Sequence, residues 1–418
     1  MQRFQGLDAY QQLVSNLRAR TARIPTKTDS DDYRDGGVFP PFTPKFQIQK
    51  GETIFTIGSC FARNIEAVLT SYGFAVPVAD YTCLPGELPY AGPHLLNEYN
   101  AGTIMQRIEA ACGVFHYDDT MGIEEVPGGF IDLFLHIHAA PTTKERLIAR
   151  RGEIDDLYRK LVAADVVIIT MGLVECWFDR LHGCYLNRAP SKKLVQREPG
   201  RFEFHYMDLD DVYRRMTRAL QALESRGQKR VVLTVSPVPI EATFMPQGAV
   251  ISNGYAKAVL RACAGMITSA SPSVDYYPSY EIVTSFGSAA FKDDNVHVRE
   301  AVVAQVTHYM VQNYAAWAEG AGDAPLYERF IGLLRSGDVA SARDAVLSLL
   351  AQDPVAWKTH DALRLYFMAI GAHKAALDSA LQAVALGGAD HPVLERHVEQ
   401  LRAVLGSTAP GMQVSDAA

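Results

Sequence analysis

The sequence is poor in cysteine: six thiols (Cys60, Cys83, Cys112, Cys176, Cys184 and Cys263) are scattered over 418 residues without a C-x-x-C pair. That scarcity argues against a zinc cluster and fits free thiols in a reducing compartment. Apolar runs approaching the ~20 residues that cross a bilayer are missing, so no membrane span is expected. The opening Met1-Gln2-Arg3-Phe4-Gln5-Gly6-Leu7-Asp8 has no apolar signal core, and a cytoplasmic location is expected. Basic charge is not in excess: 40 Lys and Arg face 47 Asp and Glu, for a net charge of -7. Nucleic acid is therefore not an expected partner.

What is present is an ordinary globular balance, 48% hydrophobic and 21% charged residues, sufficient to bury a core. At about 150 residues per domain, the length predicts two to three domains. Short apolar, β-branched runs recur at Thr53–Ile57, Asp165–Thr170 and Arg230–Val235, with a weaker one at Val274–Tyr277. Such continuous runs read as strands buried on both faces. Helical patterns alternate with them at Phe61–Tyr72, Glu153–Ala164, Asp208–Ser225 and Gly254–Ala264. The alternation predicts an α/β fold, a parallel sheet covered by helices. Two irregular stretches, Leu84–Pro141 and His182–Glu203, are rich in turn formers and read as insertions that build binding walls.

Residues 1–43 read as a polar N-terminal arm, ending in the extended or turning Gly36-Gly37-Val38-Phe39-Pro40-Pro41-Phe42-Thr43-Pro44. The main domain is placed at 44–318, and Glu319-Gly320-Ala321-Gly322-Asp323 reads as a linker. In the helical region 324–406, Gly337-Asp338 followed by Ala342 recurs as Gly371-Ala372 followed by Ala376, an offset of 34 residues. This period resembles the tetratricopeptide repeat. The region is expected to be a helical appendage, with a docking site for a protein partner as its sharper reading. Residues 407–418 read as a loose tail.

The strongest chemical signal is Thr56-Ile57-Gly58-Ser59-Cys60-Phe61-Ala62-Arg63-Asn64, where a strand stops at a glycine and a helix starts after Ser59. A serine there stands at the carboxyl edge of the sheet, beside free helix N–H groups that favour an oxyanion. It is either a nucleophile or a simple N-cap. Cys60 is a rival nucleophile, more simply read as packing. Far downstream, Asp293-Asp294-Asn295-Val296-His297 offers a carboxylate and an imidazole three residues apart. Asp294 can orient His297, and His297 can deprotonate Ser59.

Gly58-Ser59-Cys60-Phe61-Ala62 spells the motif of the GSCFA family, and by it the chain resembles that family, a branch similar to the SGNH (GDSL-like) hydrolases. Further similarity runs through Pro44-Lys45-Phe46, Thr170–Trp177, Val235-Ser236-Pro237-Val238-Pro239, Asn253-Gly254-Tyr255-Ala256-Lys257 and Tyr277–Ile282, covering roughly residues 40 to 312. The resemblance implies a three-layer α/β/α, flavodoxin-like sheet with Ser59, Asp294 and His297 as a triad. It implies oxyanion donors from the N–H of Ser59 and from a glycine of a second block, most nearly Asn100-Ala101-Gly102. A third block, G-x-N in that superfamily, falls at Gly172-Leu173-Val174, where valine replaces asparagine. Beside it, Glu175 reads as a substrate contact or an orienting group and Trp177 as a stacking surface for a sugar ring, or both as a buried structural pair.

His136 and His138 alternate as metal ligands sometimes do, but no acidic or cysteine partner is near, and no metal is expected. Asn253–Lys257 precedes a helix without the G-x-G-x-x-G or G-K-[ST] patterns of nucleotide loops, and no cofactor is expected. The expected activity is hydrolysis of acyl esters, the substrate an O-acylated carbohydrate or glycan precursor. An O-acyltransferase using the same acyl-serine, and a non-catalytic binding module, are the alternatives.

Overall fold

The computed structural model of the chain describes residues 5–18, 21–26, 33–34, 36–72, 74–84, 86–88, 93–135, 139–315, 330–331, 333–334, 337–354, 356–387 and 392–407. The chain divides into two compact units, Met1–Ala316 and Trp317–Ala418.

The first unit begins with α1 (Gly6–Arg18) and two short strands, β1 (Tyr33–Arg34) and β2 (Gly37–Val38). The expected arm is thus partly helical, because its prolines and its paired glycines lie beyond α1 and constrain only the later residues. None of the residues of α1 is buried. The end of the arm enters the core instead: Phe39 packs edge-on against Phe286 and Tyr309, and Phe42 against Tyr277.

Strand β3 (Ile54–Gly58) leads into α2 (Cys60–Ser71). Then come α3 (Ala101–Ala111), the hairpin β4 (Ile123–Val126) and β5 (Gly129–Asp132), α4 (Lys144–Arg159), β6 (Val166–Met171) and β7 (Glu175–Asp179). The chain continues through β8 (Cys184–Leu186), α5 (Lys192–Arg197), β9 (Phe202–Tyr206), α6 (Leu209–Glu224) and β10 (Arg230–Val235). It closes with α7 (Ala249–Ala270), β11 (Val274–Tyr276), α8 (Ser279–Ser285) and α9 (Glu300–Tyr314).

Strands pair in the order β11-β10-β6-β3, all parallel. On the far side of β3, Thr53 makes one more parallel bridge, to Ala75. The chain therefore leaves β3 to one side and later crosses to β6 on the other, which puts a topological switch point at the carboxyl ends of β3 and β6. Side chains sort by the two-residue period of a strand. Phe55, Ile57, Val167, Ile169, Val231 and Leu233 share one core with Ile104 of α3, Ile154 of α4, Met216 of α6 and Leu260 of α7. Thr56 bonds Glu66 of α2, and Thr234 bonds Ser279 of α8, on the opposite face. The result is an α/β/α sandwich, as the alternation of strands and helices implied.

Several boundaries differ from the sequence reading. Helix α4 starts at Lys144, capped by Thr143, rather than at Glu153, because its first turns are charged on all sides and carry no apolar period. Helix α7 runs past Gly254–Ala264 at both ends. The stretch from Leu84 to Pro141 contains α3, whose Gln106, Arg107 and Glu109 are buried along with its apolar residues, so that no polar face marks it. The stretch from His182 to Glu203 supplies β8, α5 and the start of β9, and with β7 its strands form a second, antiparallel sheet in the order β8-β7-β9.

The second unit contains α10 (Val339–Gln352), α11 (Trp357–Ala369), α12 (His373–Gly387) and α13 (Pro392–Ser407). The period of 34 is structural. Gly337 and Gly371 both take left-handed backbone, at φ 77° and 75°, two residues before the start of a helix. Ala342 and Ala376 are both fully buried. Residues 319–323 and 408–418 lie outside the described residues.

Candidate active site

Gly58, the last residue of β3, has φ 145°, and a Cβ there would stand 2.3 Å from the carbonyl oxygen of Thr170 on β6. Only glycine permits that approach, and it delivers Ser59 to the switch point at the start of α2. Ser59 occupies the N-cap position of α2, yet its side chain makes no capping bond. Its Oγ is buried and has no hydrogen-bond partner within the protein. A buried hydroxyl without a partner costs about 1–3 kcal/mol, so capping does not account for this serine. Cys60 beside it is no rival, since burial pushes its thiol above the ordinary range and keeps the proton on.

Gly172, just past β6, faces Ser59 directly: a Cβ on it would lie 3.3 Å from Ser59 Cβ, 3.8 Å from Ser59 Oγ and 3.0 Å from the carbonyl oxygen of Tyr99. Asn100 joins the same crevice through a parallel bridge to Leu173, while its Oδ1 accepts the N–H of Thr103 at 2.9 Å and caps α3. Gly102 follows in the first turn of α3, where N–H groups lack intrahelical acceptors. Its missing side chain makes room for the ring of Tyr185, 2.5 Å from where a Cβ would be. Ser59, Gly172 and Asn100 are thus brought together.

Glu175 and Trp177 are engaged elsewhere. The Glu175 carboxylate accepts from the Thr243 hydroxyl and from the N–H of Phe244 at 3.1 Å, tying down the segment after β10. Trp177 packs edge-on to Phe204 and Phe244, with ring centroids 5.7 and 5.3 Å away.

Asp294 and His297 form the expected pair inside a tight loop closed by a bridge between Phe291 and Val298. His297 Nδ1 lies 2.7 Å from Asp294 Oδ2, and Asp294 Oδ1 accepts the N–H groups of Val296 and His297, both at 2.9 Å. Contact with His297, then those two N–H bonds, holds the Asp294 carboxyl well below the usual carboxylate range. The pairing engages the ring through Nδ1. The His297 side chain is 61% exposed, and Ser59 Oγ makes no bond to it.

One residue at the site went unassigned from sequence. Lys257 of α7 is fully buried, and its Nζ donates to the carbonyl oxygens of Gly172 at 2.9 Å and Val238 at 2.7 Å. Burial lowers its pKa to about 7. The signal lay in the spacing: Lys257 falls on the stripe of Ala256, Leu260, Cys263, Ala264 and Ile267 that faces the core. One turn into α2, Arg63 and Glu66 form a buried ion pair at 3.0 Å. The hydroxyls of Thr170, Ser236 and Ser252 are, like that of Ser59, buried without a hydrogen-bond partner. Among the described residues no group of three His, Cys, Asp or Glu side chains is placed to hold a metal. His136 and His138 lie outside those residues. No helix among the described residues is long and apolar enough to cross a membrane.

A doubly covered parallel sheet with an unpartnered serine at its switch point defines the class: an α/β protein whose candidate site is the carboxyl edge of β3 and β6. The chain belongs to the GSCFA family, whose sequence pattern matches residues 53–309, more than half its length. None of the curated proteins and none of the solved structures matches it.

Proposed function

We propose that the chain is a serine-dependent acyl-transfer enzyme of the SGNH-like kind. Ser59 Oγ attacks the carbonyl carbon of an acyl ester while His297, oriented by Asp294, accepts the hydroxyl proton. The tetrahedral oxyanion meets the N–H groups at the start of α2. Collapse breaks the bond to the leaving alcohol, which takes the proton from His297. Water then releases the acyl group, making the protein an esterase, or a sugar hydroxyl takes it up, making the protein an O-acyltransferase. An O-acylated carbohydrate or glycan precursor, met in the cytoplasm, is the proposed substrate.

The observation that carries this reading is the Ser59 hydroxyl, buried at a helix N-terminus where it neither caps nor bonds. The test is intact-protein mass after treatment with an activated fluorophosphonate. One adduct is expected, kept in Cys60→Ala and lost in Ser59→Ala; no adduct on the native protein overturns the reading. The exposure of His297 favours a second reading, a binding module that holds an acyl ester uncleaved and docks a protein partner through its helical repeats. Ester binding without any adduct selects it.

A further inference from the structure

Lys257 is a buried cation at the switch point that the serine mechanism leaves unused. Its Nζ is held by two neutral acceptors, the carbonyl oxygens of Gly172 and Val238. These belong to the crossovers that leave β6 and β10 at the carboxyl edge of the sheet. A lysine ammonium carries three N–H donors, so one remains after both carbonyls are served. Gly172 links that group to the serine, because the glycine that accepts from Nζ is the residue packed against the Ser59 side chain.

Ionisable neighbours do not neutralise it. From α2 the Cys60 thiol faces Lys257, with its proton held on by burial, and Arg63 is taken by Glu66. The segments that follow β6 and β10 present the carbonyls of Gly172 and Val238. On α6, Arg215 is bonded to Tyr185 and Asp211, and on β11, Asp275 is bonded to Tyr314 and to the N–H of Lys45. Among the described residues no carboxylate pairs with Nζ. A buried ammonium without a counter-ion is poorly solvated, and it gains most when a negative charge forms beside it.

We propose that the third N–H of Lys257 is the donor that receives the oxyanion formed when Ser59 attacks an acyl ester, an assignment that rests on the serine reading above. As the Oγ–C bond forms, the carbonyl electron pair moves onto oxygen and is held by this N–H. On collapse the pair returns, the bond to the leaving alkoxide breaks, and Lys257 has neither gained nor lost a proton. It supplies the polar side-chain donor that Val174 does not.

The test is the rate at which a fluorophosphonate labels Ser59, whose phosphoryl oxygen develops the same charge, followed by intact mass from about pH 6 to about pH 9. The ratio of the native rate to that of Lys257→Gln, in which the general base His297 is common to both, is expected to fall as pH rises through about 7, where Lys257 loses its charge. Lys257→Gln keeps N–H donors for Gly172 and Val238 but has none to spare. It should label roughly 10²–10³-fold more slowly below about pH 7, with the difference narrowing above it. A ratio that holds steady through that range overturns the assignment. Equal rates and profiles in Lys257→Gln also overturn it and leave the serine reading standing. Absence of any Ser59 adduct at every pH removes the serine reading, and this assignment with it.

Discussion

Gly172 lies against Ser59 so closely that a single methyl group on its α-carbon would stand 3.3 Å from the Ser59 Cβ, with the Tyr99 carbonyl oxygen at 3.0 Å on its other side. The Tyr99 carbonyl cannot yield easily, because it accepts the N–H of Leu173 at 2.7 Å. Gly172→Ala is therefore expected to displace Ser59 rather than the carbonyl. The fold should survive with a loss of about 1–3 kcal/mol, while phosphonate labelling of Ser59 drops at least about tenfold. Labelling at the native rate in a stably folded variant sinks this account of the crevice.

The Ser59 hydroxyl makes a prediction whose sign separates two physical roles. A capping serine replaced by alanine destabilises its helix by about 1 kcal/mol. A buried hydroxyl without a partner does the opposite, since its removal relieves an unmet desolvation cost of about 1–3 kcal/mol. Ser59 is of the second kind, so Ser59→Ala should raise the urea midpoint while abolishing labelling. Stability given up at a working residue in this way is common in enzymes. A fall in the midpoint would return Ser59 to the role of a cap.

Much of this arrangement was legible in sequence, for reasons that differ residue by residue. The parallel strands announced themselves because burial on both faces selects unbroken β-branched runs, and β10 occupies the expected Arg230–Val235. Helix α6 was equally plain, bounded by Asp208, which forms a capping box with Asp211, and by Ser225. Helix α3 was hidden, because Gln106 bonds the backbone of Tyr185, Arg107 pairs with Glu98 and Glu109 pairs with Arg218. Such a helix has polar residues without a solvent face, and periodicity cannot find it. The pairing of Asp294 with His297 is local, set by a three-residue spacing within one loop, and the spacing revealed it. The approach of Lys257 to Gly172 joins residues on separate elements, and a lone lysine in a helix reads as solvated until its stripe is counted.

Asp294 is expected to matter more for chemistry than for folding. Asp294→Asn keeps an oxygen to accept the N–H groups of Val296 and His297, so the loop should hold its shape, with a small fall in melting temperature at neutral pH from losing the charge that these contacts favour. What changes is the imidazole, whose Nδ1 loses the negative charge that fixes its tautomer. Turnover of a small acyl ester should fall by roughly 10²–10⁴-fold. A variant that turns over at the native rate would show that this pair takes no part in proton transfer.

Lys257 gives the stability of the first unit a pH dependence of definite sign. Its folded pKa is lowered to about 7 from an ordinary value of 10.5, with burial as the cause. Below about 7 the lysine is protonated in both folded and unfolded chains and contributes no slope. Between about 7 and 10.5 the unfolded chain binds the proton and the folded chain does not, so this group makes stability rise with pH across that window. The rise is at most ~1.4 kcal/mol for each pH unit. Lys257→Met keeps the apolar stem and removes the titration, and the variant should lose this slope. Urea unfolding of both proteins at about pH 7 and about pH 9 isolates the term, since every other titrating group is common to the pair. Parallel slopes in the two proteins would mean that Lys257 keeps its proton when buried, and that the two carbonyls stabilise the ammonium enough to offset its desolvation.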